Sequence, residues 1–127
     1  MRLRIVLCLA LPVCILALGT GVLLYTRSVS DALQEPIEQL ETLARSSLYE
    51  DMTPQLDALD ALWAQKRSVL QLFIDHEAID NVSLELLALR AAVQSRSMPD
   101  ALLAAARLRE HAQHLLHRDL PLPENIL

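Results

Sequence analysis

Two short stretches of the sequence hold side chains whose types and spacing could bind a metal ion. In the first, His76 and Asp80 stand four residues apart, so on a helix they lie one turn apart and could share a cation. Asp75 and Glu77 add carboxylates beside them. The cluster also suits a helix junction, where an aspartate accepts hydrogen bonds from free amides and a histidine bridges two elements. Both interpretations stay open, and the structural one is favoured.

The second stretch lies towards the C-terminus and contains Glu110, His111, His114 and His117. Glu110 and His114 are four residues apart, so their side chains could converge on zinc. His117 lies about 120° around a helix from His111, so one straight helix cannot easily offer all three imidazoles to a single ion. Basic side chains near a helix C-terminus also complement its dipole, which is the alternative explanation.

No other motif in the chain indicates catalysis. The sequence has no glycine-rich phosphate loop, no nucleophile elbow and no paired Cys-x-x-Cys. Ser68 and Ser83 lack any signal for a base and an orienting acid. We therefore expect no enzymatic activity and no cofactor.

The composition predicts an all-α fold. Leu and Ala dominate, only 3% of the residues are aromatic and only two are glycine, which favours helices and disfavours strands. Apolar residues recur at steps of three and four, as on one face of a helix. These residues are Val29, Leu33, Ile37, Leu40 and Leu43 or Ala44; Leu56, Leu59, Trp63, Val69, Leu70 and Phe73; Ile79, Val82, Leu86, Leu89 and Val93; and Ala101, Ala104, Leu108, Ala112 and Leu115.

Prolines and capping residues predict the helix boundaries. Thr53 precedes a proline as a cap, and Ser97 stands at capping-box spacing from Asp100. We expect a kink or a fresh helix start at Pro36 and a helix that opens at Pro54. Pro121 and Pro123 are expected to end the last helix.

Three segments follow from these boundaries: an anchor (residues 1–27), a juxtamembrane amphipathic helix (28–52) and a helical extracytoplasmic domain (53–127). Pro54 and Pro99 each open a helix of similar apolar phase. The last segment is therefore expected to form either a small antiparallel bundle or a degenerate helical-hairpin repeat.

Residues 5–25 carry no charge and, as a helix, would extend about 31 Å, enough to cross a hydrocarbon core. Arg2 and Arg4 precede this segment, and the stretch after Arg27 is acidic, which favours an N-terminus inside and a C-terminal domain outside. We therefore expect a single-pass protein of the cytoplasmic membrane. A cleavable signal peptide, with small residues at 17–19, is the alternative.

Four small residues of this segment, Ala10, Cys14, Ala17 and Gly21, recur at steps of four, three and four. They form a stripe along one side of the helix, which would allow a second helix to approach closely, and so predict a dimer face. The alternative is chance in a sequence rich in alanine.

The formal net charge is -5, and all 16 acidic residues follow Arg27. An acidic surface of this kind repels phosphate backbones, so nucleic acid is not an expected partner. The expected partners are the lipid bilayer, through residues 5–25, and another membrane or envelope protein or a second copy of the chain.

An Asp-His-Glu-x-Ile-Asp-Asn stretch within residues 72–82, with Trp63 upstream and residues 125–127 at the terminus, resembles an uncharacterised domain-of-unknown-function family, number 4363. The motif residues are Asp75, His76, Glu77, Ile79, Asp80, Asn81 and Asn125. The resemblance extends over about residues 48–127. It implies a small, single-pass, helical membrane protein of Gram-positive, often endospore-forming bacteria, and it brings no activity.

Taken together, these features favour a non-enzymatic, membrane-tethered module at the outer face of the cytoplasmic membrane, which binds another protein or has a structural role. The alternative is an extracytoplasmic metal-binding or metal-responsive protein.

Overall fold

The fold was taken from a computed structural model, which describes residues 1–117 except for the side chains of 116 and 117. Within this range the chain forms four helices and no strand. They are α1 (Arg2–Arg45), α2 (Tyr49–Leu70), α3 (His76–Gln94) and α4 (Met98–His117). The all-α prediction is confirmed. The predicted stops at Pro121 and Pro123, the side chain of His117 and the motif residue Asn125 lie outside the described residues.

The four helices form a closed antiparallel bundle. Short connections join consecutive helices, so each runs back along its predecessor. α1 packs against α2 and α4, and α3 packs against the same two helices, whereas the diagonal pairs are not in contact. Contact between α1 and α4 closes the ring, which an open stack of hairpins would not do. Of the two predicted architectures, the bundle is therefore the one that the chain adopts.

One continuous core of buried apolar side chains runs through the bundle, and it takes residues from all four helices. The periodic residues predicted from sequence occupy it, with two exceptions. Val69 and Phe73 were expected on the buried face of α2, but both side chains are exposed. The helix ends at Leu70, so Phe73 lies outside it and its direction no longer follows the helical periodicity.

The predicted fresh start at Pro36 is wrong, because α1 continues through this residue to Arg45, whereas the alternative of a kink there stays a prediction. Val29, Leu33 and Ile37 keep one apolar phase on both sides of the proline, and all three are fully buried or nearly so. Packing of this stripe against two neighbouring helices outweighs the one backbone hydrogen bond that proline removes.

The helix predicted to open at Thr53-Pro54 begins earlier, at Tyr49, so that prediction is wrong as well. Pro54 lies inside α2, past its first turn. Glu50 and Asp51 in the first turn complement the helix dipole, and the fully buried Met52 draws the turn onto the core. These local signals outweigh the usual preference for proline at the first helical position.

The turn between α1 and α2 and the turn between α3 and α4 have the same geometry. Ser47 and Arg96 each adopt a left-handed conformation, with φ of 57° and 54°. In each turn the following amide donates back into the last helical turn, from Leu48 to Leu43 and from Ser97 to Ala92. This is the Schellman pattern, which satisfies the free carbonyls at a helix end. Both turns lie at the end of the bundle far from the apolar half of α1.

Replacement of Pro54 by alanine should stabilise the folded chain by about 1–2 kcal/mol. The alanine nitrogen can donate to the carbonyl of Glu50 and the ring clash disappears, while the freer unfolded chain offsets part of the gain. The free energy of unfolding of the full chain in detergent micelles, followed by circular dichroism in denaturant, measures the effect.

Pro99→Ala is the matched control, because Pro99 lies in the first turn of α4, where an amide has no intrahelical acceptor. We expect a change of less than about 0.5 kcal/mol for this variant. Equal stability of the two variants would contradict the placement of Pro54 inside α2.

Candidate functional site

The first predicted metal cluster lies where α3 begins. Asp75 is the N-cap of α3, and its carboxylate accepts a hydrogen bond from the backbone amide of Glu77 at 3.3 Å. This confirms the capping interpretation of that aspartate. His76 and Asp80 are both exposed on the first turns of the helix. Their possible role as metal ligands stays a prediction.

The second cluster lies on α4, where it faces α3. Glu110 and His114 are exposed, and the imidazole rings of His111 and His114 meet edge to face with centroids 6.5 Å apart. Nε2 of His111 lies 3.8 Å from Oε1 of Glu85 on α3. Among the side chains that the structure describes, which exclude that of His117, no three His, Cys, Asp or Glu residues are grouped so as to hold a metal ion. Zinc binding by Glu110 and His114 therefore stays a prediction.

The N-terminal half of α1 projects from the bundle as a free apolar helix. It is long and apolar enough to cross a membrane, and none of that stretch is buried against the rest of the chain. Absence of packing distinguishes it from the core helix of a globular domain. Cys8 and Cys14 are both free and exposed on it.

The predicted dimer stripe on this half, Ala10, Cys14, Ala17 and Gly21, is fully accessible. At 3.6 residues per turn, the stripe points well away from the side on which Val29 and Leu33 enter the core. Association through the stripe would thus be compatible with the bundle, and it stays a prediction.

Sequence reasoning missed an apolar surface on α3, which we call the outer face of α3: Leu84, Leu87, Ala88 and Ala91. The two leucines are 61% and 65% exposed, and both alanines are exposed. The spacing of three and four residues places all four on one side of the helix. α3 is therefore apolar on the side that faces the core and on the side that faces away from it. A helix that is apolar all round is normally covered on every side.

The charged residues that flank this face are engaged with neighbouring helices. Between residues 81 and 94, the only charged residues of α3 are Glu85 and Arg90. Glu85 faces His111 of α4, as described above. Arg90 donates to Asp57 on α2 at 2.8 Å and also to Asp60. These hydrogen bonds, that to Asp60 first, raise the pKa of Arg90, so the guanidinium stays charged at any pH at which the protein is folded.

Two open grooves border the outer face of α3. One, of about 290 Å³, lies against α2 and is lined by Leu87, Trp63 and Arg90 among others. The indole Nε1 of Trp63 donates to the hydroxyl of Ser83 at 2.9 Å, which fixes the floor of this groove. The other, of about 480 Å³, lies against α4, where Leu103 is half exposed. Shallow grooves beside an apolar ridge suit the side chains of a docking helix better than an enclosed small molecule.

The methionine variant Arg90→Met should lower the free energy of unfolding by about 1 kcal/mol. The methionine keeps the apolar stem but leaves Asp57 and Asp60 without their cation, and the partial exposure of all three side chains limits the loss. The midpoint of denaturant unfolding of the full chain measures it.

Arg96→Met is the control, because the 3.6 Å contact between Arg96 and Glu50 joins two largely exposed side chains. Such pairs contribute almost nothing, so we expect an unchanged midpoint. A similar loss in both variants would mean that the Arg90 contacts do not connect α2 to α3.

Comparison with known proteins gives one finding. A family model described as a domain of unknown function, DUF4363, matches residues 21–126. The match includes the whole bundle and confirms the resemblance drawn from the Asp-His-Glu motif. No curated protein and no solved structure matches the chain.

Proposed function

The chain belongs to the DUF4363 family, to which no activity is assigned, and from that premise we propose that it is a non-enzymatic, membrane-anchored module that binds another protein. The anchor is the N-terminal half of α1, with its N-terminus in the cytoplasm and the bundle outside. The surface that binds the partner is the outer face of α3. The observation that carries the proposal is this exposed, charge-free helical face on a bundle whose own core is complete.

The anchor is supported by length, exposure and charge. Residues 5–25 have no charge, and none of the most apolar stretch of the helix that contains them is buried against the bundle. Exposed apolar side chains at almost every position of a helix are stable in a bilayer and costly in water. Arg2 and Arg4 precede the apolar stretch and only Arg27 follows it closely, and this excess of basic residues on the N-terminal side favours the orientation with the bundle outside.

The outer face of α3 fits an amphipathic helix of another protein better than a second copy of this chain. Two copies anchored in one membrane stand in the same direction, so a two-fold axis between their α3 helices would place each residue beside its own counterpart. Asp80 is exposed and lies one turn before Leu84 on that side of α3. Two such carboxylates would meet, and like charges repel. We infer a partner helix with an apolar face and a basic residue opposite Asp80.

A photo-crosslinking amino acid in place of Leu87 should capture one defined partner in living cells. The same amino acid in place of Ala61, which is exposed on α2, should not capture it. Support requires that the crosslinked partner peptide be an amphipathic helix and that Leu84→Glu reduce the yield about tenfold or more, as a loss of about 1.4 kcal/mol would. Ala58→Glu on α2 should leave the yield unchanged.

A product of twice the mass of the chain, with the crosslink between two α3 helices, would contradict the proposed partner and show that the outer face of α3 binds a second copy of the chain. Equal capture from positions 87 and 61 would show that the surface is not selective and would contradict the proposal.

Membrane orientation has its own test. In a chain with Cys8 and Cys14 replaced by alanine, a single cysteine in place of Leu48 should react with a membrane-impermeant maleimide on intact cells. A cysteine in place of Leu3 should react only after the membrane is permeabilised. A mature chain that has lost residue 3 would establish the cleaved signal peptide instead.

A further inference from the structure

The base of the bundle, where α1 leaves its apolar half, carries a turn with two exposed apolar side chains. This basal turn comprises residues 71–75 and joins α2 to α3. Leu72 is 72% and Phe73 is 47% exposed, while Leu70 and Ile74 on either side are buried. From its position we propose that the basal turn inserts into the outer surface of the lipid bilayer. The inference rests on the anchor of the proposed function.

Chain connectivity places the basal turn next to the membrane. α1 runs away from its apolar half, α2 runs back, and the connection from α2 to α3 is therefore at the end at which α1 enters the bundle. A contact shows that the end of α2 lies beside the point at which α1 enters the bundle, because Nζ of Lys66 on α2 lies 5.7 Å from the ring of Tyr25 on α1. α2 continues for four more residues towards the membrane, a further 6 Å or so.

No spacer separates the anchor from the bundle. Residues 5–25 as a helix would extend about 31 Å and a hydrocarbon core is about 30 Å thick, so the outer edge of the core falls within the last turn of this segment, close to the level that the end of α2 reaches. Thr26 is already buried in the bundle, and α1 is continuous across this point. The base of the bundle therefore lies at the level of the lipid headgroups, and a side chain that projects from it reaches them.

The backbone holds the basal turn in a fixed, projecting shape. The amide of Phe73 donates to the carbonyl of Leu70 at 2.9 Å, and the amide of Ile74 donates to the same carbonyl at 2.8 Å. Burial of Leu70 and Ile74 fastens both ends of the turn to the core. The turn therefore loses little conformational entropy when Leu72 and Phe73 enter the lipid, which favours their insertion.

The far end of the bundle provides an internal comparison. The two Schellman turns there consist of Ser46, Ser47 and Leu48 and of Ser95, Arg96 and Ser97. Of these six side chains only Leu48 is large, apolar and exposed, whereas the basal turn has two adjacent side chains of this kind, Leu72 and Phe73. Apolar side chains are therefore concentrated in the turn that faces the membrane. Asp75 at the end of the turn and Glu77 just after it limit the depth of insertion, because charged groups stay in the hydrated headgroup layer.

Depth-dependent fluorescence quenching tests the inference in the full chain. With Cys8 and Cys14 replaced by alanine, single cysteines in place of Leu72, Leu48 and Ile15 are labelled with an environment-sensitive dye. Each labelled chain is reconstituted into phosphatidylcholine and phosphatidylglycerol vesicles. Nitroxide-labelled lipids in these vesicles quench dyes near the headgroups or near the bilayer centre, according to where the nitroxide is attached. Phe73→Cys serves as a second basal position.

We expect the dye at position 72 to show a blue shift and to lose most of its intensity to the headgroup nitroxide, with no such change at position 48. The dye at position 15 should be quenched by the deep nitroxide. Quenching at position 15 together with equal, low quenching at 72, 73 and 48 would overturn the inference and leave the anchor intact.

A blue shift at position 72 without nitroxide quenching would mean that protein covers the turn, which would also overturn the inference. Failure of quenching at position 15 would overturn the anchor, and the inference with it. Circular dichroism of each labelled chain confirms that the bundle is folded.

Discussion

The outer half of α1 makes contact with both α2 and α4, and the closure of the bundle depends on it. Leu33, Ile37 and Leu40 are buried at the centre of these contacts. Without them, α2 and α4 would each lose a neighbour, and three helices would remain around an open core. The same helix continues without interruption into the apolar half. Closure of the bundle and the proposed membrane anchor therefore depend on one continuous helix, rather than on a domain joined to an anchor by a linker.

Ion pairs also join neighbouring helices of the bundle. Arg109 on α4 lies 3.0 Å from Glu41 on α1, and Glu41 is largely buried. Arg90 joins α3 to two aspartates of α2. Some of the acidic side chains counted in the sequence are thus paired with arginines of neighbouring helices, and these pairs hold the helices in register. This leaves the outer face of α3 without charge in an otherwise charged surface.

Much of the fold could be predicted from the sequence because apolar periodicity is a direct record of burial. Val82, Leu86 and Leu89 were placed correctly for this reason, and the Asp75 cap follows from short-range chemistry. Ser97 and Asp100 do interact, but the hydroxyl of Ser97 donates to the carboxylate of Asp100 at 2.9 Å, which is not the backbone pattern of a capping box. The fresh helix start at Pro36 and the helix opening at Pro54 were wrong, because a proline rule describes an isolated helix and cannot weigh the packing of neighbouring helices against one lost hydrogen bond.

The candidate site was less predictable. A second apolar stripe on α3 is visible in the sequence as Leu84 and Leu87, but periodicity alone cannot tell which of two apolar sides meets the core. That distinction needs the positions of α2 and α4. Exposure of Leu72 and Phe73 likewise depends on the exact residue at which α2 ends, and helix ends are the least predictable feature of a sequence.

In a chain anchored as proposed, the continuity of α1 would let the bilayer set the direction in which the bundle stands. An apolar helix tilts when the hydrocarbon layer is thinner than its own length. Because the bundle rises about 30 Å above the base along the same helix, each 10° of tilt displaces its far turns sideways by about 5 Å. The outer face of α3 turns with them. With the proposed anchor, local membrane thickness would thus set the height and angle at which that face is presented.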